Sequence, residues 1–180
     1  LGTGAAAYFW VTLPQPGLAL PLLADYNTGV KALELGDLPR AKERLERAFA
    51  GAPQNAELHA ALGNYWFKAG DPRKAREFYE SALALNPETA TALNNLAYVE
   101  IGERRWEAAR ALLERALALN PARAELYFMA AQCDERLGRP GQAREEIERA
   151  RALRPGNAEI EALRRKLGEP ERSPAAPEPF

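Results

Sequence analysis

A 34-residue period constrains this chain more than any other feature. Prolines recur at Pro53, Pro87, Pro121 and Pro155, and alanines at Ala41, Ala75, Ala109 and Ala143. A second alanine series runs Ala48, Ala82, Ala116 and Ala150, and a small-residue series runs Gly29, Gly63, Ala97 and Ala131. Self-similarity at such a period is the mark of stacked supersecondary units, each too small to bury its own apolar face. The residue types have physical reasons. Small residues stand where two helix axes come close. A proline ends a helix because it breaks the hydrogen-bond ladder and restricts the residue before it. Turns are signalled by Gly36-Asp37, Gly70-Asp71 and Gly138-Arg139. Pro39, Pro72 and Pro140 follow near the start of a second helix, where a missing N–H costs little. Asp71 is a good N-cap for the helix that Pro72 opens.

The second unit carries Leu62-Gly63, Trp66, Ala75, Tyr79, Ala82 and Pro87 within the segment ALGNYWFKAGDPRKAREFYESALALNP. On these residues the chain resembles the tetratricopeptide repeat family, over residues 22–155 as four repeats. The resemblance implies an all-α fold: a right-handed α-solenoid of four 34-residue helix–turn–helix repeats plus a C-terminal capping helix. The expected organisation is an extended apolar N-terminal arm over 1–21, four repeats over 22–157, a capping helix over 158–168 and a Pro-rich flexible tail over 169–180. The capping helix is read from the stripe Ile160, Leu163 and Leu167 opposite a charged face. The third repeat departs from the pattern: its turn reads Glu103-Arg104-Arg105-Trp106, and Gly102 comes two residues early. The same fold with a slightly altered turn is expected there.

Composition supports the helical reading and narrows the function. Arginine outnumbers lysine 19 to 5 and alanine is abundant; both are good helix formers. A net charge of −1 offers no excess of positive charge for nucleic acid or anionic lipid. Cys133 is the single cysteine, so no internal disulfide, cysteine-based metal site or covalently attached c-type haem is expected. No run of about 18 apolar residues forms a transmembrane helix.

Little in the chain points to catalysis. His59 stands alone on the first helix of its repeat and reads as a partly buried packing residue. Cys133 reads as a buried, inert thiol. Asp134-Glu135 and Glu145-Glu146 read as solvated helix faces. No phosphate-binding glycine loop or metal-ligand spacing is present. We therefore expect no enzyme, no catalytic residues, no metal and no cofactor.

What remains is the groove that the resemblance implies. Its usual positions map onto Tyr26, Asn27, Val30 and Leu33 in the first repeat and Asn64, Phe67 and Lys68 in the second. The third supplies Asn94, Asn95, Tyr98 and Ile101, and the fourth Phe128, Met129, Gln132 and Arg136. Asparagine amides can bond both N–H and C=O of an extended backbone, and the aromatics and methionine supply apolar pockets. The alternative for Phe67 and Phe128 is packing between neighbouring repeats. Tyr26 stands where some family members carry a lysine that clamps a carboxylate. The expected ligand is an extended, largely apolar peptide segment of a partner protein.

The distinguishing feature is the arm. Residues 1–30 carry one charge, Asp25, and residues 5–13 are an apolar run containing Tyr8, Phe9, Trp10, Val11 and Leu13. Three functions stay open. One is a non-enzymatic interaction scaffold whose groove binds a partner peptide. Another is a self-assembling protein whose arm docks on a neighbouring copy to give a head-to-tail oligomer or filament. The third is an envelope-complex subunit tethered by its N-terminus, with residues 5–13 a signal or anchor remnant; membrane contact is expected only through this arm. The start at Leu1 instead of methionine leads us to expect an exported chain, extracytoplasmic or at the cell surface.

Overall fold

A computed structural model describes residues 19–168. Among them nine helices follow one another: α1 (Leu20–Glu34), α2 (Leu38–Gly51), α3 (Ala56–Lys68), α4 (Pro72–Leu85), α5 (Ala90–Gly102), α6 (Trp106–Leu119), α7 (Ala124–Arg136), α8 (Pro140–Leu153) and α9 (Ala158–Gly168). The described residues contain no strand. The fold is all-α, built from helix pairs at the 34-residue spacing, with α9 beyond the last pair. Helix α1 begins at Leu20, two residues ahead of the expected repeat boundary. Pro21 lies in its first turn, where no N–H is needed. The chain divides into two compact units between Val99 and Glu100.

In the first unit, side chains cap three helices. Asp37 Oδ1 accepts from Arg40 N at 3.2 Å, Asn55 Oδ1 from Leu58 N at 3.0 Å and Asp71 Oδ1 from Lys74 N at 3.0 Å. Each bond satisfies a donor that the helix itself leaves open. One buried cluster across α1, α2 and α3 gathers Ala32, Leu33, Ala41, Leu45, Ala61 and Leu62, with Tyr26, Val30, Leu38, Phe49, Tyr65 and Phe78 packed against it. Asp25 is buried beside it and is held by Arg44 Nη1 at 2.9 Å. Close approach explains Gly63: a Cβ there would run into the ring of Tyr79. A smaller exchange occurs at Gly51, where Leu22 of α1 fills the space a side chain would take. His59 packs edge-on against Phe49, ring centroids 5.0 Å apart, and its Nε2–H donates to the Pro53 carbonyl at 2.9 Å.

In the second unit, Ala124, Ala131, Ala143, Ile147, Ala150, Ile160, Leu163 and Leu167 form one buried cluster. The apolar stripe of α9 is thus part of the core. The altered turn of the third repeat has a definite form. Arg104 takes φ +60°, where Gly138 takes +70° one period later.

One expectation is corrected here. Asp134 and Glu146 are not on solvated faces: both are buried. Arg110 Nε donates to Asp134 Oδ2 at 3.0 Å and its Nη2 to Glu146 Oε1 at 3.2 Å. One guanidinium on α6 therefore joins α7 to α8. The reason lies in the repeat phase. In this unit Arg105 and Arg139 occupy the N-cap positions, and neither side chain makes a capping bond. Glu100 and Asp134, each five residues earlier, approach these arginines instead, at 2.6 Å and 3.6 Å. Glu135 and Glu145, by contrast, keep solvent access.

Candidate functional site

Helices α1, α3, α4 and α5 bring Val30, Leu33, Asn64, Phe67, Lys68, Asn95 and Tyr98 to one cavity of about 460 Å³, together with Glu34 and Tyr79. The first seven are residues that the sequence reading assigned to a groove. Their side chains divide the labour. Leu33 is 4% exposed and belongs to the core, so it forms floor. Phe67 and Tyr98 are 39% and 56% exposed and meet edge-to-face, ring centroids 5.6 Å apart at 86°. Two aromatics that open to water in this way form an apolar surface ready to be covered.

Polar groups at the floor are tied to one another. Tyr79 Oη donates to Asn64 Oδ1 at 2.8 Å, and Asn95 Nδ2 donates to the same oxygen at 2.6 Å. Asn94 Nδ2 donates in turn to Asn95 Oδ1 at 3.3 Å, while Asn94 Oδ1 is buried without a partner. Burial pushes the Tyr79 phenol well above its ordinary range, so it remains a donor. Tyr26 lies beside the core, half-buried, and burial pushes its phenol up to about 12. At the rim, the Glu34 carboxylate is engaged by Lys31 Nζ at 2.9 Å.

The remaining candidates lie elsewhere. Asn27 borders a smaller depression with Thr28, Lys31, Leu35 and Arg40. In the second unit, Ile101, Phe128, Gln132 and Arg136 border a cavity of about 590 Å³ with Trp106 and four residues of α9 (Glu159, Ala162, Leu163 and Lys166). Lys166 is paired with Glu135 across its edge. Met129 is buried and does not border that cavity. The arm residues Tyr8, Phe9, Trp10, Val11 and Leu13 lie outside the described residues, as does the tail over 169–180. Among the described residues no helix is long and apolar enough to cross a membrane, and no group of three or more His, Cys, Asp or Glu side chains is arranged to hold a metal ion. Cys133 is buried, and burial with the neighbouring Asp134 carboxylate pushes its thiol up to about 12.

The participants not assigned to a groove from sequence are Glu34, Tyr79, Trp106, Glu135 and the α9 face. Tyr79 carried a signal, because a buried phenol must find a hydrogen-bond partner. Trp106 and α9 carried none, since their meeting depends on how the last helix packs.

Helix pairs at a 34-residue repeat, closed by a final helix and presenting aromatic and amide side chains in a cavity, define a protein-interaction scaffold. The chain belongs to the tetratricopeptide repeat family, whose profile matches residues 32–97, 66–114 and 100–167. Among solved structures it is similar to PilF of Pseudomonas aeruginosa, with 27% identity, a TM-score of 0.74 and coverage of 81% of this chain and 67% of that one. It is similar in fold to MamA of Desulfovibrio magneticus RS-1, at 18% identity and a TM-score of 0.75, covering 83% of this chain and 85% of that one. A third likeness is the first tetratricopeptide domain of Spaghetti (RPAP3) bound to the HSP90 peptide SRMEEVD: 24% identity, TM-score 0.60, covering 63% of this chain and 90% of that one. No curated protein matches the chain in sequence.

Proposed function

We propose that the chain is a non-enzymatic scaffold whose first unit binds an extended, uncharged, largely apolar peptide. The observation that carries this reading is the exposed Phe67–Tyr98 pair above a floor of Asn64, Asn95 and Tyr79. A cavity of this kind covers an apolar side chain while its amides meet the peptide backbone. The resemblance puts Tyr26 where the family's carboxylate clamp uses lysine, and the cavity's two charged lining residues, Glu34 and Lys68, balance, which supports an uncharged ligand. The Spaghetti domain is bound to an acidic peptide; this site is built for a different one. The groove role of Ile101, Phe128 and Gln132 is an extension of the same proposal to the second unit.

The test is fluorescence anisotropy with two labelled peptides. One is an acetylated and amidated hexapeptide alternating serine with leucine and phenylalanine; the other is SRMEEVD. The uncharged peptide should bind, and Phe67→Ala with Tyr98→Ala should weaken it roughly tenfold or more, as loss of two anchoring aromatics does. Preference for SRMEEVD, or binding indifferent to the double substitution, would refute the reading.

The chain's own residues 5–13 meet the same specification, being uncharged and rich in aromatics. A copy of this protein is therefore a second proposed partner, through Tyr8 to Leu13. Light scattering of the chain against one starting at Pro21 tests it: equal masses at high concentration would sink it.

A further inference from the structure

The cavity of the second unit opens beside the end of its own last helix. Ile101, Trp106, Phe128 and Leu163 give it an apolar lining. Lys166, two residues before α9 ends, borders it and pairs with Glu135 of α7. The chain that follows Gly168 therefore starts at the cavity mouth. Two charges on the rim have no opposite partner among the described residues. One is Arg136, whose guanidinium carbon lies 5.7 Å from the centroid of the Trp106 ring. The other is the Glu159 carboxylate, in the first turn of α9. Along α9, Glu159 stands roughly 10 Å from Lys166, at about 1.5 Å per helical residue.

The residues after α9 read Glu169-Pro170-Glu171-Arg172-Ser173-Pro174. Their order matches the rim. Two glutamates come first, at the end where Arg136 stands, and an arginine follows. An extended proline-rich chain advances about 3.1 Å per residue, so Arg172 reaches roughly 12 Å from Gly168, enough to meet Glu159. Between the acids lies Pro170, and aromatic-lined grooves hold extended proline-rich segments. Gly168 permits the reversal this needs, because glycine adopts the left-handed conformation that turns a chain back from a helix end.

We infer that residues 169–174 are a tethered occupant of the second-unit cavity, with Pro170 on Trp106, an acidic side chain at Arg136 and Arg172 towards Glu159. This rests on reading that cavity as a peptide groove and adds its regulation: a foreign peptide must displace the tail. Tethering sets an effective concentration on the order of millimolar. A segment with an intrinsic dissociation constant of about 0.1 mM is then seated roughly nine times in ten. A competing peptide binds about tenfold more weakly than it would to the open cavity.

The experiment uses the full chain and reads its tryptophan indole N–H signals by two-dimensional NMR. Pro170→Ser with Pro174→Ser changes only residues beyond α9; it should move the Trp106 signal and leave Trp66 in place. A labelled peptide of residues 169–174, acetylated and amidated, should bind this variant roughly tenfold more tightly than the unsubstituted chain. In an Arg136→Glu chain the proline substitutions should no longer move Trp106. Adding Glu169→Arg and Glu171→Arg to that chain should bring the response back.

If the proline substitutions leave Trp106 unmoved, or the labelled peptide binds both chains equally, the tethered occupant is overturned. The groove reading is tested apart, by adding the uncharged hexapeptide to the proline variant. If that peptide moves Trp106 while the tail substitutions do not, the groove stands and only the tether falls. If neither moves it, both fall.

Discussion

Replacing Arg104 with glycine should stabilise the protein. Arg104 holds φ +60°, in the left-handed region, and is the only non-glycine residue with positive φ among the described residues. The equivalent turns use Gly36, Gly70 and Gly138, at +76°, +85° and +70°. A side chain in that region costs about 1–2 kcal/mol. Glycine gives back about 0.5–1 kcal/mol through the greater freedom of its unfolded chain. The net gain is about 0.5–1 kcal/mol, or about 1–4 °C in melting temperature for a chain of this size. The Arg104 N–H donates to the Ile101 carbonyl at 3.0 Å, a backbone bond the substitution leaves intact. Thermal and urea unfolding would measure the change. The mirror experiment is Gly70→Arg, where nothing lies within 4 Å of the added Cβ, so a loss of similar size reports the backbone alone. If Arg104→Gly destabilises, or Gly70→Arg is neutral, backbone strain is not what separates the third turn from the others.

Two further outcomes follow from the burial of titratable groups. Burial raises the pKa of Glu146 despite the attraction of Arg110. A raised folded pKa means that Glu146 contributes stability below its unfolded pKa, and this contribution is lost as pH rises through the folded value. Glu146→Gln should therefore stabilise at neutral pH and flatten the pH dependence of urea unfolding just above the ordinary carboxylate range; destabilisation at pH 7 would show that the Arg110 pair outweighs desolvation. Cys133, buried and with its thiol pushed up to about 12, should react with a thiol reagent at pH 8 only as fast as the chain opens, and rapid labelling without denaturant would contradict this placement.

Much of the fold was legible because the period is carried by residues with steric duties. Proline, glycine and small alanines mark helix ends and close approaches whatever the tertiary context, and Asp71 announces its own cap. The site was legible in part. Asn64 and Phe67 lie three residues apart on α3, and Asn95 and Tyr98 three apart on α5, so helical spacing puts each pair on one face of its repeat's first helix. What escaped depends on packing across elements. Asp134 and Glu146 look like surface carboxylates until Arg110, on a third helix, is seen between them. Trp106 and the α9 face meet at a cavity edge that no local pattern announces. The start of α1 at Leu20 was hidden by Pro21, which reads as a barrier but is tolerated within a first turn.

On the function proposed above, the first unit holds an uncharged, apolar peptide through Phe67, Tyr98 and Asn64. Selection from a random-peptide display library, counter-selected on the Phe67→Ala, Tyr98→Ala variant, tests it without presuming a ligand. Enriched sequences should lack acidic residues and share an aromatic or aliphatic anchor, each competing for the same site. Enrichment of acidic peptides, or of peptides that bind the variant equally well, would contradict it.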